Sequence, residues 1–410
     1  MSLRRRATAA ALSAALSAAL LAVPLAGAPA VGAAGSPGPL ASSVAVDWQR
    51  IAVRTVYVER GSAPPLGALY LAFTSLAVHD AARKAQRHGT HAAAAAVAVA
   101  AHDVLKAYFP ASSANLHADL AASLASIKES DGRDLGEAIG GSSADAMIAS
   151  RVGDGRNDGT IVYSKPALPG FWQPSASGMA LPWLGYVDPV VDVPPVDLDG
   201  PDALTSAAYA AEYNEVREVG STTSTTSGAR TADQTAIARF FRGNPVLVYR
   251  TALCDLLDEE PLGLLPTTRL FARIDAASAN SFIQTWRLKS EVGFWRPFQA
   301  IAGALDDNNP DTMPEAAWSP LVPNPPYSDY TSGHAAATAP FAQVVRQTLG
   351  DNTRLVLRDF GEVREYATLT ELEYDALNAR IWGGLHFRDA MDDAYHLGHI
   401  TADRVMQVVR

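Results

Sequence analysis

The chain has 410 residues, of which 48% are hydrophobic and 19% charged, which is enough apolar material for a large globular core. Its formal net charge is −10, and residues 1–34 contain three arginines and no acidic residue, so the remainder is more acidic still. Such an acidic surface argues against nucleic acid or anionic lipid as the main partner. Cys254 is the only cysteine, which excludes an intrachain disulfide and is typical of a small core residue.

Residues 1–34 have the pattern of a secretory signal peptide. Arg4–Arg6 precede an alanine- and leucine-rich run from Ala7 to Leu25, and Ala28-Pro29-Ala30 supplies small residues for cleavage. An uncleaved anchor helix is the alternative, but Pro24 and the many alanines make a poor membrane span. We expect a secreted protein, exported by the general or the twin-arginine route, with no further membrane span along the chain.

Helical periodicity dominates the remaining sequence, so we predict a single all-α domain over residues 35–410, built from helical bundles. N-terminal helices occupy 44–152, an irregular Pro/Gly-rich segment occupies 153–201, and further helices fill 202–410. The irregular segment is expected to lie over or near a cavity. The best strand signal, Val187–Val196, is weakened by its prolines. A flexible connector is expected at Gly220–Gly228. The predicted helices are Leu66–Gln86, His91–Phe109, Ser113–Ile127, Leu135–Arg151, Ala203–Val219, Thr231–Arg242, Pro245–Leu257 and Thr267–Lys289.

The last of these helices ends in Lys289, which is a candidate residue of the functional site. Lys289 shares one helical face with Phe282 and Trp286, because the three residues are four and three positions apart. Its ammonium therefore emerges beside apolar surface, although a lysine snorkelling from a buried helix gives the same pattern. A glycine and the pre-proline restriction on Arg296 favour a turn, which can bring Lys289 and Arg296 to bear on one point.

Ser332-Gly333-His334 opens an alanine-rich helix, Ala335–Leu349, which Pro340 is expected to interrupt. Ser332 alone is explained equally well as an ordinary N-cap. Gly333 lets the backbone approach a ligand closely, and a helix N-terminus favours anions. His334 then lies at the rim of the anion as a general acid or base.

A further helix, beginning at a capping box of Thr370 and Glu373, carries Arg380. On a continuous helix, the side chains of residues six apart point in directions that differ by about 120°, so Arg380 and His386 would not contact the same ligand. The glycine pair at 383–384 ends the helix and allows the chain to reverse. We therefore expect His386 to face the anion that Arg380 holds.

Together these segments supply three cations, a hydroxyl, a glycine N–H and two imidazoles. That set fits a tetrahedral, multiply charged oxyanion, because the guanidinium fork matches the spacing of its oxygens. The candidate residues are Lys289, Arg296, Ser332, Gly333, His334, Arg380 and His386.

The spacing Lys-x6-Arg-Pro, Ser-Gly-His and Arg-x5-His resembles the signature of the vanadium-dependent haloperoxidases and type 2 phosphatidic acid phosphatases. The contexts Phe294-Trp295-Arg296-Pro297 and Trp382-Gly-Gly-Leu-His386-Phe-Arg388 are most similar to the secreted bacterial haloperoxidase-like branch. The resemblance implies two helical bundles and vanadate bound covalently through His386. Lys289, Arg296, Ser332, Gly333 and Arg380 would spread its charge. Lys289 would also polarise the bound peroxide, and His334 would move protons. Hydrogen peroxide, a halide and a small organic substrate are the implied partners, and the hypohalous species formed would halogenate that substrate.

The same resemblance leaves two other functions open. In a secreted acid phosphatase, His386 would attack a phosphoester to form a phosphohistidine and His334 would protonate the leaving group. A non-catalytic extracellular anion-binding protein on the same scaffold is the third alternative. Tyr327 and Trp286 are candidates for a halide or substrate pocket, while halide preference and oligomeric state are not predicted.

Two positions depart from the family pattern. An Asp often follows the histidine by four residues and orients its ring, but that position here is Ala390. Asp389, another acid or a backbone carbonyl remain as alternatives. Thr331 replaces the proline that commonly precedes Ser-Gly-His. Neither change removes a group expected to contact the anion.

Overall fold

The computed structural model describes residues 39–410, and the predicted signal peptide lies outside the described residues. Helices dominate this part of the chain, which confirms the all-α prediction. Within residues 39–410, no helix is at once long and apolar enough to cross a membrane.

The N-terminal helices form one packed group around an alanine-rich helix. They are α1 (Pro39–Val53), α2 (Pro64–Ala85), α3 (Thr90–Tyr108), α4 (Ser113–Ala125) and α5 (Asp131–Ser150), with a π-helical turn at Arg54–Glu59. Helix α1 begins five residues before the predicted position 44. Helices α3 and α5 approach so closely that a Cβ built on Gly136 would lie 2.2 Å from the carbonyl oxygen of Ala92. Small residues on both helices are what this contact requires.

The C-terminal part contains nine further helices among the described residues and one hairpin. They are α6 (Ala207–Val219), α7 (Ser224–Ser227), α8 (Ala232–Phe240), α9 (Pro245–Glu259), α10 (Leu264–Glu291), α11 (Pro297–Ala302), α12 (Ala335–Leu349), α13 (Leu369–Trp382) and α14 (Arg388–Val408), with β1 (Leu355–Asp359) and β2 (Glu362–Tyr366). The strands pair antiparallel, with Leu355 opposite Tyr366. Phe360 and Gly361 between them both have positive φ, which is the geometry of a two-residue type I′ turn.

The 28-residue helix α10 is central to the fold. It packs against α2 of the N-terminal group and against α12 and α14. Helices α12 and α14 approach closely at Gly398, where a Cβ would lie 2.6 Å from Cβ of Ala339 and 2.8 Å from Cδ of Pro340. Pro340 does not interrupt α12 as expected, since the helix is continuous from Ala335 to Leu349. The close contact with Gly398 accommodates the proline ring.

The irregular segment 153–201 runs along the C-terminal half of α10, with a 3-10 turn at Pro182–Tyr186 as its only helical piece in the described structure. No strand forms at 187–196, in agreement with the prolines that weaken this signal, and side-chain amides of α10 bind backbone groups of the segment instead. Asn280 accepts from Val190 N–H at 2.8 Å and donates to the Val191 carbonyl at 2.7 Å. The segment therefore packs along the side of α10 without forming a sheet.

Two other sequence-based expectations were wrong locally. The predicted flexible connector 220–228 contains α7 and is tied down by the buried Arg230, which donates to the carbonyl of Trp382 at 2.9 Å. The capping box of α13 is formed by Thr368 and Glu371, two residues earlier than predicted. Thr370 donates to Asp351 instead, at 3.0 Å.

Candidate active site

Lys289 lies in the last turn of α10 with no exposed surface, so it does not snorkel to solvent. Its ammonium donates to the carbonyls of Ser328 and Asp329, each at 2.9 Å, and to that of Thr331. Burial, together with the charge of Arg296, lowers the pKa of Lys289 well below its ordinary value. The loop before α12 thus holds this cation inside the protein.

Arg296 reaches the same loop from the turn after α10. Its backbone is extended before Pro297, at φ −90° and ψ 159°, as the pre-proline restriction requires. The guanidinium is buried and donates to the Tyr327 carbonyl at 2.6 Å, the Ser328 carbonyl at 3.3 Å and the Leu385 carbonyl at 2.7 Å. Because Ser328 accepts from both Lys289 and Arg296, the two cations converge on one point.

The end of α13 determines how Arg380 and His386 are related. The N–H of Gly384 bonds to the Ile381 carbonyl at 2.9 Å, and that of Leu385 bonds to the Arg380 carbonyl at 3.0 Å. This is the Schellman pattern, with Gly384 at φ +72°. The chain reverses there as predicted, and His386 follows directly.

The Arg380 guanidinium is 2% exposed and donates through Nη1 to the Phe241 carbonyl at 2.9 Å. Its Nε is buried and has no hydrogen-bond partner in the described part of the chain. Burial lowers the pKa of Arg380 to about 10. An unpaired buried donor of this kind is unfavourable unless a ligand accepts from it.

Asp329 is the partner of His386. Its Oδ1 lies 2.7 Å from Nδ1 of the imidazole, and its Oδ2 accepts from the N–H of Phe387 at 3.5 Å. Neither Oδ1 nor Nδ1 has an aligned hydrogen bond, because the oxygen lies off the direction of the ring N–H. The contact still favours a proton on Nδ1, which leaves Nε2 unprotonated. Among the alternatives considered for orienting the ring, an acid other than Asp389 is therefore the one observed.

Burial and the neighbouring cations lower the pKa of His386 well below its ordinary value, so the ring is neutral. Burial raises the pKa of Asp329 to about 7, while Arg296 and Lys289 act to lower it. A neutral imidazole with an available Nε2 is the form that binds a metal centre or attacks phosphorus.

His334 occupies the N-cap position of α12 without a side-chain capping bond, and part of its surface is exposed. Its Nε2 lies 3.1 Å from the Gly243 carbonyl, which only accepts, so Nε2 carries the proton and Nδ1 is the basic nitrogen. Burial, followed by the charge of Arg380, lowers the pKa of His334 well below its ordinary value. Of the two imidazoles, His334 is the one with a path to solvent.

Ser332 and Gly333 complete the group at the start of α12. Ser332 is fully buried, and its hydroxyl accepts from the N–H of Ala335 at 3.5 Å, so it also acts as a helix cap. A Cβ on Gly333 would lie 3.3 Å from the Trp286 ring, which shows how closely the ring covers this backbone. The anion site is defined here as Lys289, Arg296, Ser332, Gly333, His334, Arg380 and His386.

Trp286 and Tyr327 contact each other beside the anion site with their rings tilted by 57° and the ring centroids 5.0 Å apart. Trp286 is 1% exposed and donates through its indole N–H to the Ala180 carbonyl at 3.1 Å, which anchors the irregular segment. Tyr327 is partly exposed, and its ring lies 5.0 Å from both the Lys289 ammonium and the Arg296 guanidinium carbon. Tyr327 therefore borders the cations on the side that reaches solvent.

Part of the chain is similar in sequence to known proteins, and its fold is similar to solved structures. The family model described as "VCPO second helical-bundle domain" matches residues 269–410, and this range contains the whole anion site. A vanadium chloroperoxidase of Curvularia inaequalis is 34% identical over 88 residues, which is 19% of this chain and 14% of that relative.

These two matches support the superfamily of vanadium-dependent haloperoxidases and type 2 phosphatidic acid phosphatases for the C-terminal part of the chain. The fold of the chain is similar to that of a bacterial vanadium-dependent iodoperoxidase, with a TM-score of 0.71 and 20% identity over 89% of this chain and 96% of the other. A holo-type bacterial vanadium-dependent chloroperoxidase gives a TM-score of 0.64 and 16% identity over 84% and 92% of the two chains.

Sequence reasoning missed Asp329 and the backbone acceptors of the site. Asp329 is the only acidic residue between positions 316 and 350, and an isolated acid in a loop leading to Ser-Gly-His was an available signal. The carbonyls of Phe241 and Gly243 leave no trace in side-chain identity, so no sequence signal points to them.

Proposed function

We propose that the protein is a vanadate-dependent haloperoxidase, which oxidises halide with hydrogen peroxide to a hypohalous species that halogenates small organic substrates. The observation that carries this proposal is the charge of the anion site. Three cations, Lys289, Arg296 and Arg380, are almost completely buried with Asp329 as their one acidic side chain. Buried charges are stable only when compensated, so these cations suit a multiply charged oxyanion as ligand.

The residues present fit vanadate by their chemistry. Lys289, Arg296 and Arg380 would hold its oxygens, the unpaired Nε of Arg380 offers one further donor, and Nε2 of His386 would bind vanadium. When bound, vanadate supplies a Lewis-acidic centre that activates hydrogen peroxide without a change of oxidation state. Support for halide oxidation comes from the relatives, which are named as an iodoperoxidase and chloroperoxidases.

Each side chain has a distinct part in this reaction. Asp329 holds the His386 ring in the orientation that presents Nε2, and the low pKa of His386 keeps that nitrogen unprotonated. His334 accepts a proton from peroxide through Nδ1, while the Gly243 carbonyl fixes its ring. Its partial exposure lets the proton exchange with solvent.

A phosphatase is the second candidate, and the His386–Asp329 contact is the observation that favours it. A neutral imidazole steadied by a carboxylate is also a competent nucleophile toward a phosphoester. Vanadate and phosphate have the same shape and charge type, so this set of cations suits both. In that reaction His334 would protonate the leaving oxygen.

A paired assay separates the candidates. Purified protein is incubated with orthovanadate and assayed for bromination of a phenol indicator with peroxide, and separately tested on a chromogenic phosphate ester without vanadate. Vanadate-dependent bromination with negligible ester cleavage supports the haloperoxidase, and the reverse supports the phosphatase. Neither activity, together with retained phosphate binding, would indicate a non-catalytic anion-binding protein.

His386→Ala should abolish whichever activity is present, because it removes the nitrogen that contacts the central atom. The matched control is His399→Ala. His399 lies on α14 outside the anion site, and Nε2 of its ring is 2.6 Å from Oε1 of Glu373. The control should keep full activity. Full activity in His386→Ala would show that the reaction takes place elsewhere.

We also propose that the protein is secreted, with 35–410 as the mature single domain. The support is the sequence of residues 1–34, in which arginines precede an apolar run and small residues. N-terminal sequencing of the exported protein tests this, and a mature protein beginning at Met1 would contradict it.

A further inference from the structure

The loop between α8 and α9 presents two backbone carbonyls to the anion site. The Phe241 carbonyl accepts from the Arg380 guanidinium at 2.9 Å, and the Gly243 carbonyl lies 3.1 Å from Nε2 of His334. A backbone carbonyl can hold a side chain in place only as well as the loop itself is held. The contacts that fix this loop therefore bear on both site residues.

The tip of the β1–β2 hairpin lies directly against this loop. A Cβ built on Gly243 would lie 2.0 Å from Oδ2 of Asp359 and 3.2 Å from Cε2 of Phe360. The other oxygen of Asp359 accepts from the N–H of Phe360 at 2.9 Å, which fixes the carboxylate. Arg242 places its guanidinium carbon 4.1 Å from the centre of the Phe360 ring. Because φ of Gly243 is not positive, the glycine is required by this close contact and not by its own backbone conformation.

Phe360 is an unusual residue for its position. It is the first central residue of the hairpin turn, at φ +50°, where asparagine, aspartate and glycine are preferred. A bulky side chain in this left-handed region is unfavourable, and such residues cluster at functional sites. The side chain is 54% exposed, so burial in the core does not offset that cost. What the ring gains instead is its contact with Arg242 and Gly243.

We propose that Asp359 and Phe360 are positioning residues, which hold the loop so that the Gly243 carbonyl fixes the imidazole of His334. Neither residue belongs to the anion site, so both act through Gly243. The consequence for proton transfer by His334 rests on the proposed function, whereas the holding of the ring does not.

The first experiment follows the Nε2 proton of His334 by NMR of protein with isotope-labelled histidine, without vanadate. The signal is identified by its loss in His334→Gln. In wild type the bond to the Gly243 carbonyl should protect this proton from exchange with water. Phe360→Asn should exchange it about tenfold faster, which corresponds to the net contribution of about one hydrogen bond. Exchange within twofold of wild type would overturn the proposal.

The same variant separates positioning from support of the fold. Asparagine is preferred at this position of the turn, so Phe360→Asn should melt at the wild-type temperature or above it. Phe360→Tyr keeps the ring and should exchange like wild type. Val363→Thr is the matched control, because Val363 lies on the same hairpin and is 57% exposed. A lower melting temperature of Phe360→Asn with faster exchange at every histidine would overturn the proposal, and so would an equal effect of Val363→Thr.

A paired substitution tests the contact with Asp359. Gly243→Ala places a methyl group where Oδ2 of Asp359 lies, so it should push the hairpin from the loop and speed the exchange of the His334 proton. Asp359→Gly in the same chain removes the obstructing carboxylate and should return the exchange rate toward the wild-type value. Exchange in the double variant as fast as in Gly243→Ala would show that Asp359 does not hold Gly243.

The effect on the reaction is measured with vanadate, peroxide and bromide. Phe360→Asn should lower kcat by about tenfold, which is part of the 10²- to 10⁴-fold that a positioned acid or base contributes, and leave the KM for bromide unchanged. Faster exchange with unchanged kcat would overturn the link to proton transfer. If wild type shows no vanadate-dependent bromination, the proposed function fails and the exchange of the His334 proton still decides this inference.

Discussion

The contact between Asp329 and His386 makes a sharp prediction for Asp329→Asn. The carboxylate uses one oxygen for the imidazole, at 2.7 Å, and the other for the Phe387 N–H, at 3.5 Å. An amide has a single acceptor oxygen, so asparagine can serve only one of these two donors. The substitution keeps the size of the side chain and removes one of the two contacts that Asp329 makes with the His386–Phe387 segment.

The magnitude follows from similar positioning contacts around metal sites, whose loss weakens binding by about 10- to 100-fold. That range corresponds to about 1.4 to 2.8 kcal/mol in binding free energy. Loss of a negative charge beside Lys289 and Arg296 acts in the opposite direction, since it strengthens the positive potential of the site. We expect the orientation effect to win, because Lys289 and Arg296 keep their backbone acceptors whether or not residue 329 is charged.

The assay is calorimetric titration with orthovanadate at pH 8, with folding checked by circular dichroism. Asp403→Asn is the control, because it makes the same charge change on α14 at a carboxylate bonded to Gln343 at 2.8 Å. Vanadate affinity of Asp329→Asn within twofold of wild type would refute the positioning role of Asp329. A comparable loss in Asp403→Asn would show a general effect of charge.

Three further results are expected. Gly384→Ala should destabilise the protein by about 3 kcal/mol or more, since φ is +72° and a Cβ would lie 2.5 Å from the Gly220 carbonyl. Gly350→Ala, at φ +99° with nothing within 4 Å, should cost only about 1 kcal/mol in the same denaturant titration. Phosphate binding at pH 9 should be accompanied by uptake of a proton in wild type and not in Lys289→Met. The reason is that a bound dianion raises the lowered pKa of Lys289. Calorimetry in two buffers of different ionisation enthalpy measures the number of protons taken up. Arg230→Met should lower the melting temperature by several degrees, because the carbonyl of Trp382 loses its buried donor.

Much of the candidate site was predictable because its geometry is set by short-range rules. The pre-proline restriction at Arg296 and the glycines at 383–384 act within a few residues, and both turns form as the sequence indicates. The capping box was displaced because Thr370-x-x-Glu373 and Thr368-x-x-Glu371 satisfy the same local pattern. Only the packing of α13 against Asp351 selects between them.

The hairpin and the ordered connector were missed for a related reason. Five-residue strands around Phe360-Gly361 give too short an alternation to stand out among helices. The connector is serine- and threonine-rich, and its order depends on Arg230 donating across 152 positions to Trp382. Composition describes the flexibility of such a segment only when no distant residue binds it.

The amino-acid sequence alone determined the all-α class and the chemistry of the anion site, because helical periodicity and residue type are local properties. Tertiary structure alone decided that Asp329 contacts His386 and that Glu212 of α6 accepts from the backbone N–H of Asp389. Those two residues are 177 positions apart. Carboxyl groups of several acidic residues were equally available in the sequence, and only the packing of α6 and α14 and the loop before α12 brings particular ones to the start of α14.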